Sequence, residues 1–209
     1  VREPPIIGLV DYGRGNLRSV QRALEHAGAT VLLVRSPDDA QRCAAIVVPG
    51  VGSFGDCARQ LRDAGLWDFI LQWIVSDRPY FGICLGYHLL FESSEESPGV
   101  SGFGAIAGRV VHFPRGEGRK IPHMGWNQIR LNTPDTRLMM GLGNDPSFYF
   151  VHSYYPVPED PSIVTSVCNY GVDFAASIST GRICAVQFHP EKSQALGLTM
   201  LRNFISSLT

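Results

Sequence analysis

Cys84 lies in the run Arg78-Pro79-Tyr80-Phe81-Gly82-Ile83-Cys84-Leu85-Gly86-Tyr87-His88. An apolar, strand-like segment ends at the cysteine, glycines flank it two residues away on either side, and a helical pattern, Leu85 to Phe91, follows at once. Gly-x-Cys-x-Gly between a strand and a helix is the thiol version of the Gly-x-Ser-x-Gly elbow, which lifts a nucleophile above a sheet. The glycines allow a tight turn without Cβ clashes, and a sulfur at a helix N-terminus faces free N–H groups that favour thiolate.

A nucleophile needs a base. Of the six histidines, at 26, 88, 112, 123, 152 and 189, His189 stands out through its setting, Ala185-Val186-Gln187-Phe188-His189-Pro190-Glu191-Lys192-Ser193. A strand-like run ends at the histidine, and Pro190 biases His189 towards extended backbone. Residues two apart in an extended chain point to one side, so Glu191 can reach the imidazole and fix its tautomer while the other nitrogen faces a nucleophile. Cys84, His189 and Glu191 would then form a thiol triad. Either motif alone fits a buried structural cysteine or an ordinary turn; the pair at strand ends of one chain favours chemistry.

Val47-Val48-Pro49-Gly50-Val51-Gly52-Ser53-Phe54-Gly55 contains a formal Gly-x-Gly-x-x-Gly. A dinucleotide site is disfavoured because the motif follows the third strand-like run, Pro49 precedes it, and no acidic residue ends a following strand about 20 positions on. The better reading is a loop whose backbone N–H groups, at Val51 and Gly52, join that of Leu85 in an oxyanion hole.

These residues need a scaffold. Ile6-Val10, Val31-Val34 and Ala45-Val48 are short continuous apolar runs, as expected of strands buried on both faces. Leu17, Val20, Leu24 and Ala27 recur at helical spacing, with Gly28 a plausible stop. A longer helical stretch covers Asp56 to Val75, with a possible break near Gly65. This rhythm predicts an α/β fold with a flavodoxin-like mixed, mainly parallel sheet flanked by helices. After Glu96, the segments Val110-Phe113, Trp126-Leu131, Phe148-Tyr154, Ile163-Cys168 and Phe174-Ser179 read as strands, antiparallel in part, before a final helix over Gln194-Leu208. Residues 115–120 (RGEGRK) read as a solvated loop.

The chain has 209 residues, 18 Lys and Arg against 19 Asp and Glu, and net charge −1, so a single domain over 1–209 is expected and nothing advertises nucleic acid. No apolar run reaches the ~20 residues of a membrane span. Val1-Arg2-Glu3-Pro4-Pro5 does not read as a signal peptide. Five scattered cysteines without a C-x-x-C argue against zinc or a disulfide framework; no metal or cofactor is expected, and a reducing cytoplasm is the natural compartment.

Together, Pro49-Gly50-Val51-Gly52, Gly82-Ile83-Cys84-Leu85-Gly86 and His189-Pro190-Glu191 resemble the class I, triad-type glutamine amidotransferases. Further runs narrow the resemblance to the glutaminase subunits of imidazole glycerol phosphate synthases: Asp11-Tyr12-Gly13-Arg14-Gly15-Asn16, Leu89-Leu90-Phe91-Glu92-Ser93-Ser94-Glu95-Glu96, Pro122-His123-Met124-Gly125-Trp126-Asn127, Val151-His152-Ser153-Tyr154 and Lys192-Ser193. The likeness runs from Ile6 to the last helix, and Pro-His-Met-Gly-Trp-Asn is its most specific piece.

The resemblance implies that Cys84 attacks the side-chain amide of L-glutamine and that ammonia passes through a tunnel to a separate (β/α)8 cyclase subunit, in a heterodimer serving histidine biosynthesis. It implies substrate contacts at Gly50, Gly52, His88, Glu92, His152, Ser153 and Tyr154, and a partner face at Asn16, Trp126, Asn127 and Lys192. One departure stands out: the family usually has glutamine where this chain has His88. Four residues after the nucleophile, that side chain should overlook the pocket or turn aside into a local hydrogen bond. Within the superfamily, a thiol hydrolase or a glutaminase serving another synthase is the alternative; a non-catalytic scaffold would not need an intact triad.

Overall fold

Alternating apolar residues build the centre of the molecule. The computed structural model describes residues 3–13, 15–116, 120–132 and 137–208. The first half runs β1 (Ile6–Val10), α1 (Leu17–His26), β2 (Thr30–Val34), β3 (Ala45–Gly50), α2 (Phe54–Asp63), α3 (Trp67–Val75), β4 (Tyr80–Cys84) and α4 (Leu85–His88). The second half runs β5 (Phe91–Ser94), β6 (Ile106–His112), β7 (His123–Leu131), β8 (Ser147–His152), β9 (Tyr154–Pro158), β10 (Val164–Asn169), β11 (Asp173–Thr180), β12 (Ile183–Val186) and α5 (Gln194–Ser206).

Nine strands form one sheet in the order β2-β1-β3-β4-β12-β11-β10-β7-β8. The strands from β2 to β12 pair in parallel; those from β12 to β8 pair antiparallel. This is the mixed, mainly parallel architecture expected from the sequence. Because side chains alternate across a strand, Val47, Phe81 and Ile83 join one core with α1 and α5, while Ile46, Val48 and Tyr80 join another with α2 and α3. Ala45, Ile46, Val47 and Val48 are all fully buried, which is why β3 reads as an unbroken apolar run.

The long helical stretch divides into α2 and α3 at Gly65, the break expected there, whose φ of 69° suits a helix stop. Other local expectations change. The elbow helix lasts only four residues rather than reaching Phe91. Its continuation is drawn into strand pairing: carbonyls of Leu89, Leu90, Phe91 and Glu92 accept from Phe103, Ile106, Gly104 and Gly102. A three-stranded sheet, β5-β6-β9, results, and the apolar segment Phe148–Tyr154 breaks at Ser153 because β8 belongs to one sheet and β9 to the other. Part of the 115–120 loop, residues 117–119, lies outside the described residues, as do Arg14 and the chain's first two residues. Among the described residues, no helix is long and apolar enough to cross a membrane.

Candidate active site

Three adjacent parallel strands bring the chemistry together. Gly50 ends β3 and pairs with Cys84, which ends β4, while β12 runs alongside β4 and leads to His189. In an open α/β sheet, the carboxyl ends of the strands are where ligands bind. A cavity of about 320 Å³ opens there, lined by Gly50, Val51, Gly52, Cys84, Leu85, His88, Glu96, His152, Ser153, Tyr154 and His189, among others. A second depression, bordered by Pro79, Gly181 and Arg182, lies at the opposite ends of β4 and β12, away from the thiol.

Cys84 itself carries the strain of the elbow, with φ 53° and ψ −103°. A non-glycine residue held there costs about 1–3 kcal/mol and must be held by its surroundings. The flanking glycines serve close approach rather than unusual torsion. A Cβ on Gly86 would sit 1.9 Å from the Val48 carbonyl oxygen, and one on Gly82 would sit 2.8 Å from that of Gly86. The buried Tyr80 hydroxyl donates to the Gly86 carbonyl at 2.7 Å and braces the turn. With α4 only one turn long, the helix dipole is a smaller aid to the sulfur than a full helix would be.

His189 Nδ1 lies 2.8 Å from Glu191 Oε1, and both side chains are buried. The strand ends at Val186, three residues before the histidine, and the reach to Glu191 is made by a 3₁₀ turn over Pro190–Lys192 instead of extended backbone. The Ser193 hydroxyl donates to the His189 carbonyl at 2.7 Å and accepts from the Tyr149 N–H at 3.0 Å. The His189 N–H donates to the Tyr149 carbonyl at 2.9 Å, so β8 holds the histidine in place. Burial alone would drive His189 down, but the Cys84 sulfur, followed by Glu191, outweighs it and pushes His189 up to about 10. Both neighbours favour the protonated imidazole, the form that could protonate a leaving amine.

The glycine loop leaves β3 at Gly50, passes Gly52 at φ 98°, and enters α2 through the Ser53 cap. The glycine at 50 lets β3 approach the elbow, since a Cβ there would meet Leu85 Cβ at 2.4 Å. Leu85 opens α4, so its N–H has no helical acceptor. The buried Tyr12 hydroxyl donates to the Pro49 carbonyl at 3.2 Å, bracing the end of β3 where the loop departs. Glu96 fastens the far side of the loop by accepting from the Phe54 N–H at 2.7 Å.

His88 both lines the cavity and makes a local bond: its Nε2 lies 2.7 Å from Gln187 Oε1. The amide oxygen accepts, so the proton is on Nε2. Burial pushes His88 down to about 4, against a smaller opposing effect of Gln187, and the ring is neutral at working pH. Gln187 is fully buried and its Nε2 donates to Cys84 Sγ at 3.7 Å. Sequence reasoning passed it over, because a glutamine inside an apolar run gives no sign of which side chains it meets. Gln187→Met should slow alkylation of Cys84 by iodoacetamide at pH 7 about two- to tenfold, the size of one modest hydrogen bond. An unchanged rate would remove Gln187 from the site.

Glu92 is not brought into the cavity. Its carboxylate is exposed and accepts from the Gly108 N–H at 3.2 Å, tying β5 to β6, and Glu96 occupies the cavity wall instead. Trp126, 51% exposed, meets the Tyr149 ring edge-on, and Lys192 Nζ lies 5.6 Å from the same ring. Asn127 is half-buried on the other face of β7, and Asn16 sits exposed before α1, which packs against the 190–192 turn.

The model of class I glutamine amidotransferases matches residues 8–208. The chain is 47% identical over 204 residues to imidazole glycerol phosphate synthase subunit HisH of Syntrophotalea carbinolica, covering 95% of this chain and 98% of that protein. It belongs to the class I glutamine amidotransferases, in the HisH family. The HisH of Acinetobacter baylyi is 43% identical over 199 residues, covering 95% of this chain and 97% of that one. Among solved structures, PurLQS from Thermotoga maritima superposes with a TM-score of 0.76 at 20% identity, covering 99% of this chain and 100% of that one, a likeness of fold. As a member of the HisH family, the chain is a glutamine amidotransferase.

Proposed function

We propose that the chain acts as one domain, the glutaminase half of an imidazole glycerol phosphate synthase, and works through Cys84, His189 and Glu191. The observation that carries the reading is the convergence of the strained thiol, the Glu191-backed imidazole and the glycine loop in one cavity. The Cys84 thiolate attacks the amide carbon of glutamine, a C–S bond forms, and the carbonyl electrons move onto oxygen. The backbone N–H groups of Leu85 and the 51–52 loop receive that oxyanion.

The intermediate collapses, the C–N bond breaks, and the His189 imidazolium gives its proton to departing ammonia. The neutral imidazole then takes a proton from water, which adds to the thioester. Glutamate leaves and the thiolate returns, so that glutamine and water become glutamate and ammonia. Ser153, Tyr154, Gly50 and Gly52 supply substrate contacts, with His88 as a neutral neighbour.

The relatives' names imply a second subunit, and we place a (β/α)8 cyclase on the face carrying Trp126 and Lys192, with Asn16 beside it; Asn127, on the other face of β7, does not join that surface. Ammonia made here would serve imidazole glycerol phosphate synthesis in the cytoplasm. The test is glutamate release from glutamine with and without a cyclase subunit and its ligand, together with the mass of the mixture. A one-to-one complex and a several-fold stimulation are expected; no complex and no stimulation would sink the partner assignment and leave the glutaminase standing.

A further inference from the structure

We propose that His123 is a positioning residue that hands a single hydrogen-bond polarity from Asn127 through His152 to the Tyr154 carbonyl, clasping the segment 152–154 against the glutamine pocket. The proposal rests on the reading that this segment holds glutamine.

The polarity follows from groups that have no choice. The Tyr154 carbonyl can only accept, so His152 Nδ1, 2.8 Å away, carries the proton. A neutral ring has one such proton, which makes His152 Nε2 an acceptor. His123 Nδ1 lies 3.0 Å from it and must donate. His123 Nε2 is then the acceptor for Asn127 Nδ2, at 3.2 Å.

The other end is fixed independently. Asn127 Oδ1 accepts from the Gln128 N–H at 2.8 Å, and Asn127 Nδ2 also donates to the Asn169 carbonyl at 3.0 Å, which sets the orientation of the amide. Both ends demand the same direction, so the chain is satisfied throughout. Burial disfavours the charged form of both rings: His123 is pushed down to about 4 and His152 well below its usual value. The His123 ring is sandwiched between Tyr170 and Phe150, with centroids at 4.1 and 4.8 Å, which fixes its plane.

The clasp acts where it matters for substrate. His152 ends β8 and Tyr154 begins β9 in the other sheet, so the backbone switches sheets at Ser153. The bond from His152 to the Tyr154 carbonyl spans that switch, and His152 and His123 face each other across the β8–β7 pair. With both ring nitrogens engaged, His152 has none left for glutamine. Its contribution is to hold the backbone of Ser153 and Tyr154 in the pocket wall.

Two-bond proton–nitrogen spectra of ¹⁵N-histidine-labelled full-length protein should show both rings as Nδ1–H tautomers; an Nε2–H tautomer at His152 would overturn the proposal. Glutamine titrated into the Cys84→Ala protein should shift the Ser153 and Tyr154 amides. If it does not, the reading of the segment fails, whereas the tautomers still decide the polarity. His123→Phe keeps an aromatic ring but removes both bonds, and should weaken glutamine binding about tenfold, as expected for leaving a buried acceptor unpaired. His123→Asn, with an N–H donor near the Nδ1 position, should recover most of that loss. Unchanged binding in a His123→Phe protein that alkylates Cys84 normally overturns the proposal. Should that variant not fold, the tautomers of the wild-type rings still decide the proposal, and an Nε2–H tautomer at His123 also overturns it.

Discussion

Cys84→Ala should lower glutamate release from glutamine by about 10⁴-fold or more, the scale on which enzymes lose turnover with their nucleophile. Glutamine should still bind, because the cavity walls at Gly52, Ser153 and Tyr154 are separate from the thiol. The same substitution has a second consequence. Burial opposes a charged His189, and the Cys84 sulfur is foremost among the groups that overcome it. With the sulfur gone, His189 should titrate well below the value of about 10 that it has beside the thiol. Glutamate release and an NMR titration of His189 check both outcomes. Residual turnover within tenfold of wild type would mean that the thioester route is wrong.

Glu191→Gln keeps shape and burial but removes the carboxylate that accepts from His189 Nδ1 at 2.8 Å. An amide in its place can present a donor and admit the wrong tautomer, and turnover should fall about 10²- to 10⁴-fold, as when an orienting acid is neutralised in a triad. Stability changes with pH in a fixed sense. His189 is raised from 6.5 to about 10, so folding favours its protonated form. The stabilisation is full below about pH 6.5 and is lost as pH rises through about 10. Glu191 is one cause of that rise, so the variant's deficit should be greatest near pH 6 and close as pH approaches 10. Urea unfolding at several pH values measures it; a deficit independent of pH would contradict this account of the pair.

The parts of the site that were legible in the sequence are those whose chemistry is local. Cys84 stands between two glycines and Glu191 lies two residues from His189, and in the structure the elbow turn and the His189–Glu191 contact are each local. The strands β1 and β3 were legible because burial on both faces leaves an uninterrupted apolar run. By contrast, the short elbow helix and β5 were not. Leu85 to Phe91 has a helical pattern, and only the carbonyl partners supplied by Gly102, Phe103, Gly104 and Ile106 turn its end into a strand. Glu92 and Glu96 are alike as residues, and the pairing of β5 with β6 decides which of them reaches the cavity.

His88 shows the division most sharply. Spacing from Cys84 put it near the pocket, but whether it faced substrate or turned aside depended on Gln187, 99 residues away in the chain. The same holds for His123 and His152, 29 residues apart, whose tautomers are set by a carbonyl at one end and an amide at the other.

The sequence by itself singled out Cys84, His189 and Glu191 and determined the α/β rhythm of the first half, because these rest on short-range geometry and hydrophobic period. Only the tertiary structure decided how Gly50, Cys84 and His189 share one end of the sheet, and how buried side chains pair. Those outcomes depend on strand order and register, which place residues from distant parts of the chain within hydrogen-bonding distance.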